Sequence, residues 1–254
     1  MYDDFAGVYD TLMDDYDYDA WSRHYLSLID DTLEERPVRA VECACGTGSL
    51  TVRFAKAGLS MVGVDLSASM LRRAEEKARK WGVNAAFVRQ DMKKLELPRR
   101  VGVVFTTCDG VNYLTTPADV RAFFAAAYRQ LLPGGALCFD CSSRHKLETM
   151  MGDAFFGEER DGLAILWQNS LNRESHILTM DVTFFVREED GRYRRFREQH
   201  RQRAHSQQEI TEWLSLAGFE DIHVFGEMRK DAPREDDIRI HYTARKPKEL
   251  PFEL

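Results

Sequence analysis

The stretch Val41-Glu42-Cys43-Ala44-Cys45-Gly46-Thr47-Gly48, followed by Gly63-Val64-Asp65, decides the fold. Each segment joins an apolar run to an acidic residue, and the first ends in a glycine-rich turn. A buried strand carries such a turn to the edge of a sheet, where glycine lets backbone N–H groups approach a ligand. An Asp at the end of the next strand can accept hydrogen bonds from both hydroxyls of a ribose. The pattern therefore predicts a nucleoside-binding site at the edge of an α/β sheet.

Around this pattern, strand and helix signals alternate along most of the chain. Ser67 is a helix N-cap with Gly82 behind the helix, and Thr116-Pro117-Ala118-Asp119 is a further helix start. Alternation of this kind is typical of a parallel sheet with helices on both faces. We predict an α/β fold with a Rossmann-like, seven-stranded, mostly parallel sheet whose last two strands form an antiparallel pair at its edge. The predicted strands are 38–43, 61–64, 86–88, 101–106, 137–140, 222–225 and 238–244.

The alternation stops after residue 155, where three strand-like runs follow one another (163–171, 177–186 and 192–203). Their turn-like connections predict a small antiparallel β insertion after the fifth strand. Residues 21–33 have helical spacing, whereas the preceding residues show no clear period. We expect four segments: an N-terminal helical segment covering the cofactor (1–36), a Rossmann-like core (37–155), the β insertion (156–204) and a C-terminal completion of the core (205–254).

Composition narrows the class of protein. The 254-residue chain has a formal net charge of −7, which disfavours general affinity for nucleic acid or anionic membranes. No apolar run approaches the roughly 20 residues needed to span a bilayer, and the acidic, aromatic N-terminus is unlike a signal peptide. We expect a cytoplasmic protein without membrane association, acting as a monomer or a homodimer.

Five cysteines lie in or beside the predicted strands, and their odd number favours reduced, buried thiols. The pairs Cys43/Cys45 and Cys138/Cys141 superficially suggest metal ligands. Neighbouring ligands on a strand would diverge, and no histidine-rich motif accompanies either pair. We therefore expect no metal site.

The glycine turn also discriminates between cofactors. A dinucleotide fold prefers a third glycine, which allows close helix packing, but Thr51 stands at that position. Glu42 lies inside the motif, where a carboxylate would repel a pyrophosphate but could attract the amino group of a methionine moiety through water. The turn therefore favours a methionine-bearing nucleoside, and a nicotinamide enzyme with a degenerate turn is the alternative.

These segments resemble the motifs of class I S-adenosylmethionine (SAM)-dependent methyltransferases over almost the whole chain. Besides the glycine turn, they are Asp65-Leu66-Ser67-Ala68-Ser69-Met70-Leu71, Gln90-Asp91-Met92 and Leu131-Leu132-Pro133-Gly134-Gly135. The resemblance implies SAM as cofactor, with Asp65 on the ribose, Met70 against the adenine and Asp91 on the adenine amino group. The full set of cofactor contacts that it implies is Tyr9, Trp21, Glu42, Ala44, Gly46, Gly48, Asp65, Leu66, Met70, Asp91, Met92, Cys108 and Asp109.

Within that family, the chain is similar to bacterial small-molecule methyltransferases with a β-sheet insertion, such as glycine and amino-sugar N-methyltransferases. The similar segments are 9–21 and Cys108-Asp109-Gly110-Val111-Asn112-Tyr113-Leu114, together with Glu198-x-His200-x-Gln202-Arg203. The resemblance implies a small-molecule acceptor methylated on N or O, with Asn112, Tyr113 and His200 as candidate catalytic or substrate-contacting residues. The aromatic residues Tyr9, Tyr18 and Trp21 can either cover the cofactor or pack a terminal helix on the core.

Other hypotheses remain open on the sequence alone. Arg195, Arg197, Arg201 and Arg203 share one face of a predicted strand. This face can be a solvated surface balanced by nearby acids, or an anion-binding wall for a carboxylate, a phosphate or RNA. An RNA-modifying methyltransferase and a SAM-binding regulator without turnover are accordingly the alternatives to a small-molecule enzyme.

Overall fold

The computed structural model describes residues 2–160 and 162–248. Met1, Asp161 and residues 249–254, which belong to three of the expected segments, lie outside the described residues. The α-helices are α1 (Tyr2–Leu12), α2 (Tyr18–Thr32), α3 (Ser49–Lys56), α4 (Ala68–Trp81), α5 (Pro117–Gln130) and α6 (Gln207–Leu216). The strands are β1 (Arg39–Cys43), β2 (Ser60–Asp65), β3 (Ala85–Arg89), β4 (Val101–Thr106), β5 (Leu131–Ser142), β6 (Phe155–Arg160), β7 (Leu163–Asn172), β8 (Ile177–Arg187), β9 (Tyr193–Arg203), β10 (Glu220–Phe225) and β11 (Arg239–Arg245).

The larger sheet has seven strands in the order β10-β11-β5-β4-β1-β2-β3. Strands β1 to β5 are parallel, and β11 and β10 extend the sheet as the expected antiparallel pair. The chain runs outward from β1 to β3 and then returns to β4 on the other side of β1. In an open α/β sheet, ligands bind at the carboxyl ends of the strands where the order reverses in this way. Cys43 of β1 and Thr106 of β4 are paired in register at this point.

The core lies on both faces of this sheet, which explains the continuous apolar character of its strands. Val41 and Cys43 face one core together with residues of α5 and α6. Ala40, which precedes Val41 in β1, faces the opposite core with residues of α2 and α3. The prediction of a Rossmann-like sheet with helices on both faces is confirmed.

A second, antiparallel sheet of four strands, in the order β6-β7-β8-β9, follows β5. The sequence predicts β7, β8 and β9 but not β6. Strand β6 is an edge strand whose residues are almost all exposed, so it lacks the alternation that marks a half-buried strand. A π-helix, His145–Met151, connects the larger sheet to β6.

Helix α1 is the other element that the sequence leaves unassigned. Phe5, Val8, Tyr9 and Leu12 do follow helical spacing, but the acidic and aromatic residues between them mask the period. Val8 is buried, and Phe5 and Leu12 pack against the inner face of the second sheet. Tertiary packing therefore stabilises a helix that its own sequence specifies weakly.

Within the described residues, no helix is long and apolar enough to cross a membrane.

Candidate active site

A cavity of about 1270 Å³ opens at the carboxyl ends of β1, β2 and β4. Residues of the glycine turn line one part of the cavity, and residues of α1 and of the second sheet line the other parts. A pocket for a single drug-sized ligand usually has a volume of roughly 300–1,000 Å³. The cavity therefore has room for a second molecule beside a nucleoside.

The glycine turn is held to the next strand by the carboxylate of Asp65. Its Oδ2 accepts a hydrogen bond from the backbone N–H of Gly46 (2.9 Å), and its Oδ1 accepts one from the N–H of Ser67 (2.9 Å). Burial raises the pKa of Asp65, while these backbone donors oppose the rise. Asp65 thus joins the turn after β1 to the N-terminus of α4 and faces the cavity from the end of β2.

Gly48 has a structural role that differs from the expected cofactor contact. It does not line the cavity; it precedes α3 in a left-handed conformation, with φ of 72°. A Cβ at this position would lie 2.8 Å from the Cβ of Ala74 in α4. Glycine is therefore required here because the turn packs closely against α4. Ala44 and Gly46, in contrast, do line the cavity.

Glu42 is a buried carboxylate at the base of the glycine turn, 1% exposed overall yet lining the cavity. The hydroxyl of Thr107 donates to its Oε1 (2.5 Å), and the hydroxyl of Thr51 donates to its Oε2. Burial raises the pKa of Glu42 to about 7, and the two threonine hydrogen bonds limit the rise. Thr51, which replaces the third glycine of a dinucleotide turn, is thus a partner of the internal carboxylate.

On the side of β3, four of the expected contact residues line the cavity: Leu66, Met70, Asp91 and Met92. Asp91 caps a short 3-10 turn by accepting a hydrogen bond from the N–H of Lys93 (3.0 Å). The ammonium of Lys93 lies 3.7 Å from Asp91 and 2.9 Å from Asp119. Apolar side chains and a carboxylate therefore line this end of the cavity, as an adenine ring with its amino group requires.

Helix α1 is fastened to the glycine turn by charged and polar side chains. The carboxylate of Asp10 accepts hydrogen bonds from the hydroxyl of Thr47 (2.6 Å) and from the ammonium of Lys77 in α4 (3.0 Å). Tyr9, which precedes Asp10 in α1, lines the cavity, and burial raises its pKa. The N-terminal segment therefore forms one side of the cavity.

Trp21 does not line the cavity, contrary to the expected cofactor contact. Its ring stacks on Tyr16 at 4.8 Å between centroids, and the guanidinium of Arg239 lies 5.2 Å from the Trp21 ring. Tyr18, which the sequence suggests as a covering residue, and Tyr16, which it does not single out, line the cavity in its place. Trp21 is a packing residue behind them.

The loop after β4 forms the floor of the cavity. Cys108 and Asp109 both line it, in left-handed conformations with φ of 53° and 56°. Oδ2 of Asp109 accepts hydrogen bonds from Nε2 of Gln202 (2.8 Å) and from the hydroxyl of Ser142 (3.3 Å). Arg239 donates to Oδ1 of Asp109 (3.3 Å) and also to the fully buried Asp140. A buried polar network thus joins β4, β5, β9 and β11 beneath the site.

Asn112, expected to contact the acceptor, lies within this framework and does not line the cavity. The side chain is fully buried, and its Nδ2 donates to the carbonyls of Ser142 (3.1 Å) and Arg203 (2.9 Å). Its Oδ1 accepts a hydrogen bond from the N–H of Ser142 (2.9 Å). The amide links β5 to the end of β9, because a buried amide needs all its partners within the protein.

Tyr113 and His200 both line the cavity, with ring centroids 6.1 Å apart. Tyr113 is 45% exposed and His200 only 8%. Burial lowers the pKa of His200, which keeps the imidazole neutral near pH 7. These two candidates are thus brought together although they are distant in sequence.

Several polar residues that sequence reasoning did not assign to the site also line the cavity, among them Lys146, Gln202 and Arg239. Gln202 could have been found, because it lies two residues after His200 and so projects from the same face of β9. Lys146 belongs to the π-helix and Arg239 begins β11, and no sequence pattern relates either residue to the glycine turn.

The inner face of the second sheet is largely apolar where it meets the cavity. Ile165 of β7 and Met180, Val182 and Phe184 of β8 line it. Met180 is paired in register with His200 of β9, so the apolar surface ends at a polar edge.

The arginines of β9 do not form a wall of the cavity. Arg195, Arg197 and Arg201 are exposed, and they alternate with the inward-facing His200. They therefore occupy the outer face of the second sheet. Arg203 departs from this pattern, because it is 9% exposed and donates to Glu209 of α6 (2.6 Å).

Comparisons with known proteins agree with this architecture. Residues 40–135 match the family model described as a methyltransferase domain. A protein of Geobacillus sp. (strain WCH70) assigned as a methyltransferase is 34% identical over 245 residues, covering 96% of this chain and 99% of that protein. A second such protein, from Bacillus subtilis (strain 168), is 32% identical over 98% of this chain and 99% of its own length.

Solved structures show the same fold. A SAM-dependent methyltransferase from Clostridium acetobutylicum ATCC 824 superposes with a TM-score of 0.88 at 28% identity, covering 97% of this chain and 99% of that structure. Streptomyces venezuelae DesVI, at 23% identity, gives a TM-score of 0.79 over 94% of this chain and 97% of its own. The glycine turn, the sheet order and these relatives together identify SAM as the cofactor. The chain belongs to the class I SAM-dependent methyltransferases.

Proposed function

We propose that this protein transfers the methyl group of SAM to a nitrogen or oxygen atom of a small molecule bound between Asp109 and the inner face of the second sheet. The observation that carries the proposal is the extent of the cavity, which continues past the glycine turn into a compartment lined by β7, β8 and β9. The residues at the glycine turn account for the cofactor, and this further compartment is sized for an acceptor.

The residues at the carboxyl ends of β1, β2 and β3 fit the cofactor. We assign the ribose to Asp65, the methionine ammonium to the side of Glu42, and the adenine to Met70, Met92 and Asp91. Ala44, Gly46 and Leu66 complete this surface, with Tyr9 closing it from α1. We also assign residues 1–36 as the covering segment and residues 156–204 as the acceptor-binding insertion on the core formed by the rest of the chain.

When bound, SAM supplies a methyl group on a sulfonium, which is already an activated leaving group. The chain's own contribution is therefore positioning and exclusion of water. Helix α1 and the second sheet enclose the cavity on two sides, and the network beneath Asp109 holds the floor rigid. A nucleophile must lie roughly 3–3.5 Å from the methyl carbon for in-line displacement.

His200 and Tyr113 are the groups that we assign to the acceptor's proton. A neutral imidazole can accept a proton from an acceptor hydroxyl or ammonium, and burial keeps His200 neutral near pH 7. Tyr113, beside it, can donate a hydrogen bond that orients the acceptor. We assign Cys108 and Asp109, on the floor of the cavity, to contacts with both SAM and the acceptor.

One relative supports a small-molecule acceptor. The Streptomyces venezuelae protein named dTDP-3-amino-3,4,6-trideoxy-alpha-D-glucopyranose N,N-dimethyltransferase is 27% identical over 182 residues, covering 70% of this chain. RNA as acceptor is disfavoured, because the exposed arginines Arg195, Arg197 and Arg201 lie on the face of β9 opposite the cavity.

Calorimetry and turnover together test the proposal. The product S-adenosylhomocysteine (SAH) should bind the wild type, and Asp65→Ala should bind it at least about tenfold more weakly because a buried charged hydrogen-bonding group is lost. Asp190→Ala, on the exposed turn between β8 and β9, is the matched control. SAM turnover is then followed as SAH release over a panel of amines, phenols and other hydroxyl compounds. Binding of SAH without turnover on any acceptor would favour a SAM-binding regulator.

A further inference from the structure

The acceptor compartment contains a cation with no established role, the ammonium of Lys146. Nζ donates to the hydroxyl of Ser142 (3.1 Å), and no carboxylate lies within 4 Å of it among residues 5–160 and 162–248. The side chain lines the cavity. Burial lowers the pKa of Lys146, so the cation lacks much of the solvation that normally stabilises it.

Two other lysines that are partly or fully buried have more hydrogen-bond partners than Lys146. Lys246 donates to the carbonyls of Tyr128 (2.8 Å) and Leu131 (2.9 Å) at the end of α5. Lys77 donates to Asp10, Thr47 and Ser49 beside the glycine turn. An ammonium has three donors, and one neutral hydroxyl partner leaves Lys146 able to bind an anion in the cavity.

The position of Lys146 assigns that anion to the acceptor rather than to the cofactor. Lys146 follows β5, which lies two strands from β1, or roughly 10 Å across the sheet at the usual strand spacing. The nucleoside contacts extend in the opposite direction, over β2 and β3. The ammonium is therefore on the acceptor side of the floor.

Hydrogen bonds connect Lys146 to the inner face of the second sheet. The hydroxyl of Ser142 contacts both Nζ of Lys146 and Oδ2 of Asp109 (3.3 Å), and the same oxygen of Asp109 accepts from Gln202 of β9 (2.8 Å). Asp109 is thus occupied by donors from the protein, including Arg239 (3.3 Å). Asp109 and Arg239 are hydrogen-bonded to each other, whereas the ammonium of Lys146 has a neutral hydroxyl as its partner and can bind a charged ligand.

Apart from Tyr113, His200, Gln202 and Glu158, the surface of the compartment that faces the second sheet and the π-helix is largely apolar. Ile165, Met180 and Val182 line it from the sheet, and Met150 and Met151 from the π-helix. Methionine side chains adapt to the shape of an apolar ligand. A polar, freely hydrated acceptor would lose its water against this surface without compensating hydrogen bonds.

We propose that the acceptor is an amphipathic small molecule, with an apolar body on the inner face of the second sheet and an anionic oxygen group bound by Lys146. This inference rests on the proposed function, because it specifies the substrate class of the same site. Lys146 is then a specificity residue, and the anion replaces the solvation that burial removes from its ammonium.

Two fluorescent probes that differ by one anionic group test the proposal. 8-Anilinonaphthalene-1-sulfonate and uncharged N-phenyl-1-naphthylamine have the same aromatic body, and both are titrated into protein saturated with SAH. The wild type should bind the sulfonate more tightly than the neutral probe. Lys146→Met should weaken sulfonate binding by roughly tenfold to a hundredfold, the range for a hydrogen bond to a charged group. The neutral probe should bind the wild type and Lys146→Met equally.

Two controls make the result specific. Lys146→Arg keeps the charge and should retain most of the sulfonate affinity, whereas Arg195→Met, on the outer face of the second sheet, should change neither probe. The proposal is overturned if Lys146→Met binds the sulfonate as the wild type does, if it weakens both probes equally, or if the wild type binds neither. Absence of SAH binding by the wild type in calorimetry would instead refute the proposed function.

Discussion

Glu42 makes the binding of SAM depend on pH. Its carboxylate is enclosed by the hydroxyls of Thr51 and Thr107, and burial raises its pKa to about 7. In the free protein about half of the Glu42 side chains are therefore protonated at pH 7. In the proposed complex the cationic methionine end of SAM lies near this group, which favours the ionised form. SAM binding should accordingly release a proton from Glu42.

The number of protons released and the change in SAM affinity with pH both follow from the pKa of Glu42. If the bound cation lowers the pKa below 5, binding releases about half a proton at pH 7 and about one at pH 6. Since a proton is released, affinity rises with pH, by roughly tenfold between pH 6 and pH 8. In the ligand-free protein, the contribution of Glu42 to stability changes with pH in the opposite direction to the SAM affinity. Unfolded Glu ionises near about 4.3, so the stability that depends on Glu42 is largest below that pH and falls as pH rises through 7.

Isothermal calorimetry in buffers of different ionisation enthalpy measures the proton count directly. Glu42→Gln is the matched variant, because it keeps the shape of the side chain and cannot ionise. The amino group of SAM titrates near about 7.7–8.0, so the quantity of interest is the proton release of the wild type minus that of the variant. Equal proton release by the two proteins, or a ratio of wild-type to Glu42→Gln affinity that does not change between pH 6 and pH 8, would refute the argument.

Three further outcomes are expected. Gly48→Ala should lose about 1–3 kcal/mol more stability in urea unfolding than Gly82→Ala, because both φ angles are left-handed but only the Cβ at Gly48 meets α4; equal losses would contradict the packing role. Asn112→Ala should lower the free energy of unfolding by about 2–3 kcal/mol, because buried groups lose their hydrogen-bond partner, and should leave the affinity for SAH unchanged. If Asn112 instead only contacted the acceptor, the substitution would leave the melting temperature unchanged. Asp10→Asn should let thermolysin cleave α1 faster in the presence of SAH, and unaltered protection would show that the contact with Lys77 does not hold the helix.

The sequence predicts the larger sheet well because its signals are local. The parallel strands β1, β2, β4 and β5 contain apolar runs, and Ser67 and Thr116 cap the helices where expected. The second sheet is predicted in part, since β7 and β8 alternate and β6 does not. Its identity as an antiparallel unit follows from short turns, which are also local.

The sequence predicts those site residues that lie at, or directly after, the carboxyl end of a predicted strand. Glu42, Asp65 and Asp91 line the cavity because the carboxyl ends of parallel strands meet at one edge of the sheet. Trp21 and Asn112 carry suitable chemistry but pack behind the cavity, and composition does not distinguish a lining residue from one behind it.

By itself, the sequence determined the class of fold and the type of cofactor, because both depend on a glycine turn and an Asp that are close in the chain. Only the tertiary structure decided the acceptor side. Lys146, Gln202 and Arg239 come from a π-helix, the second sheet and the last strand, and long-range pairing of β5, β9 and β11 with the loop after β4 brings them together around Asp109. Contacts between residues so distant in sequence leave no local pattern. For Gln202 the sequence indicates only that it shares a face of β9 with His200.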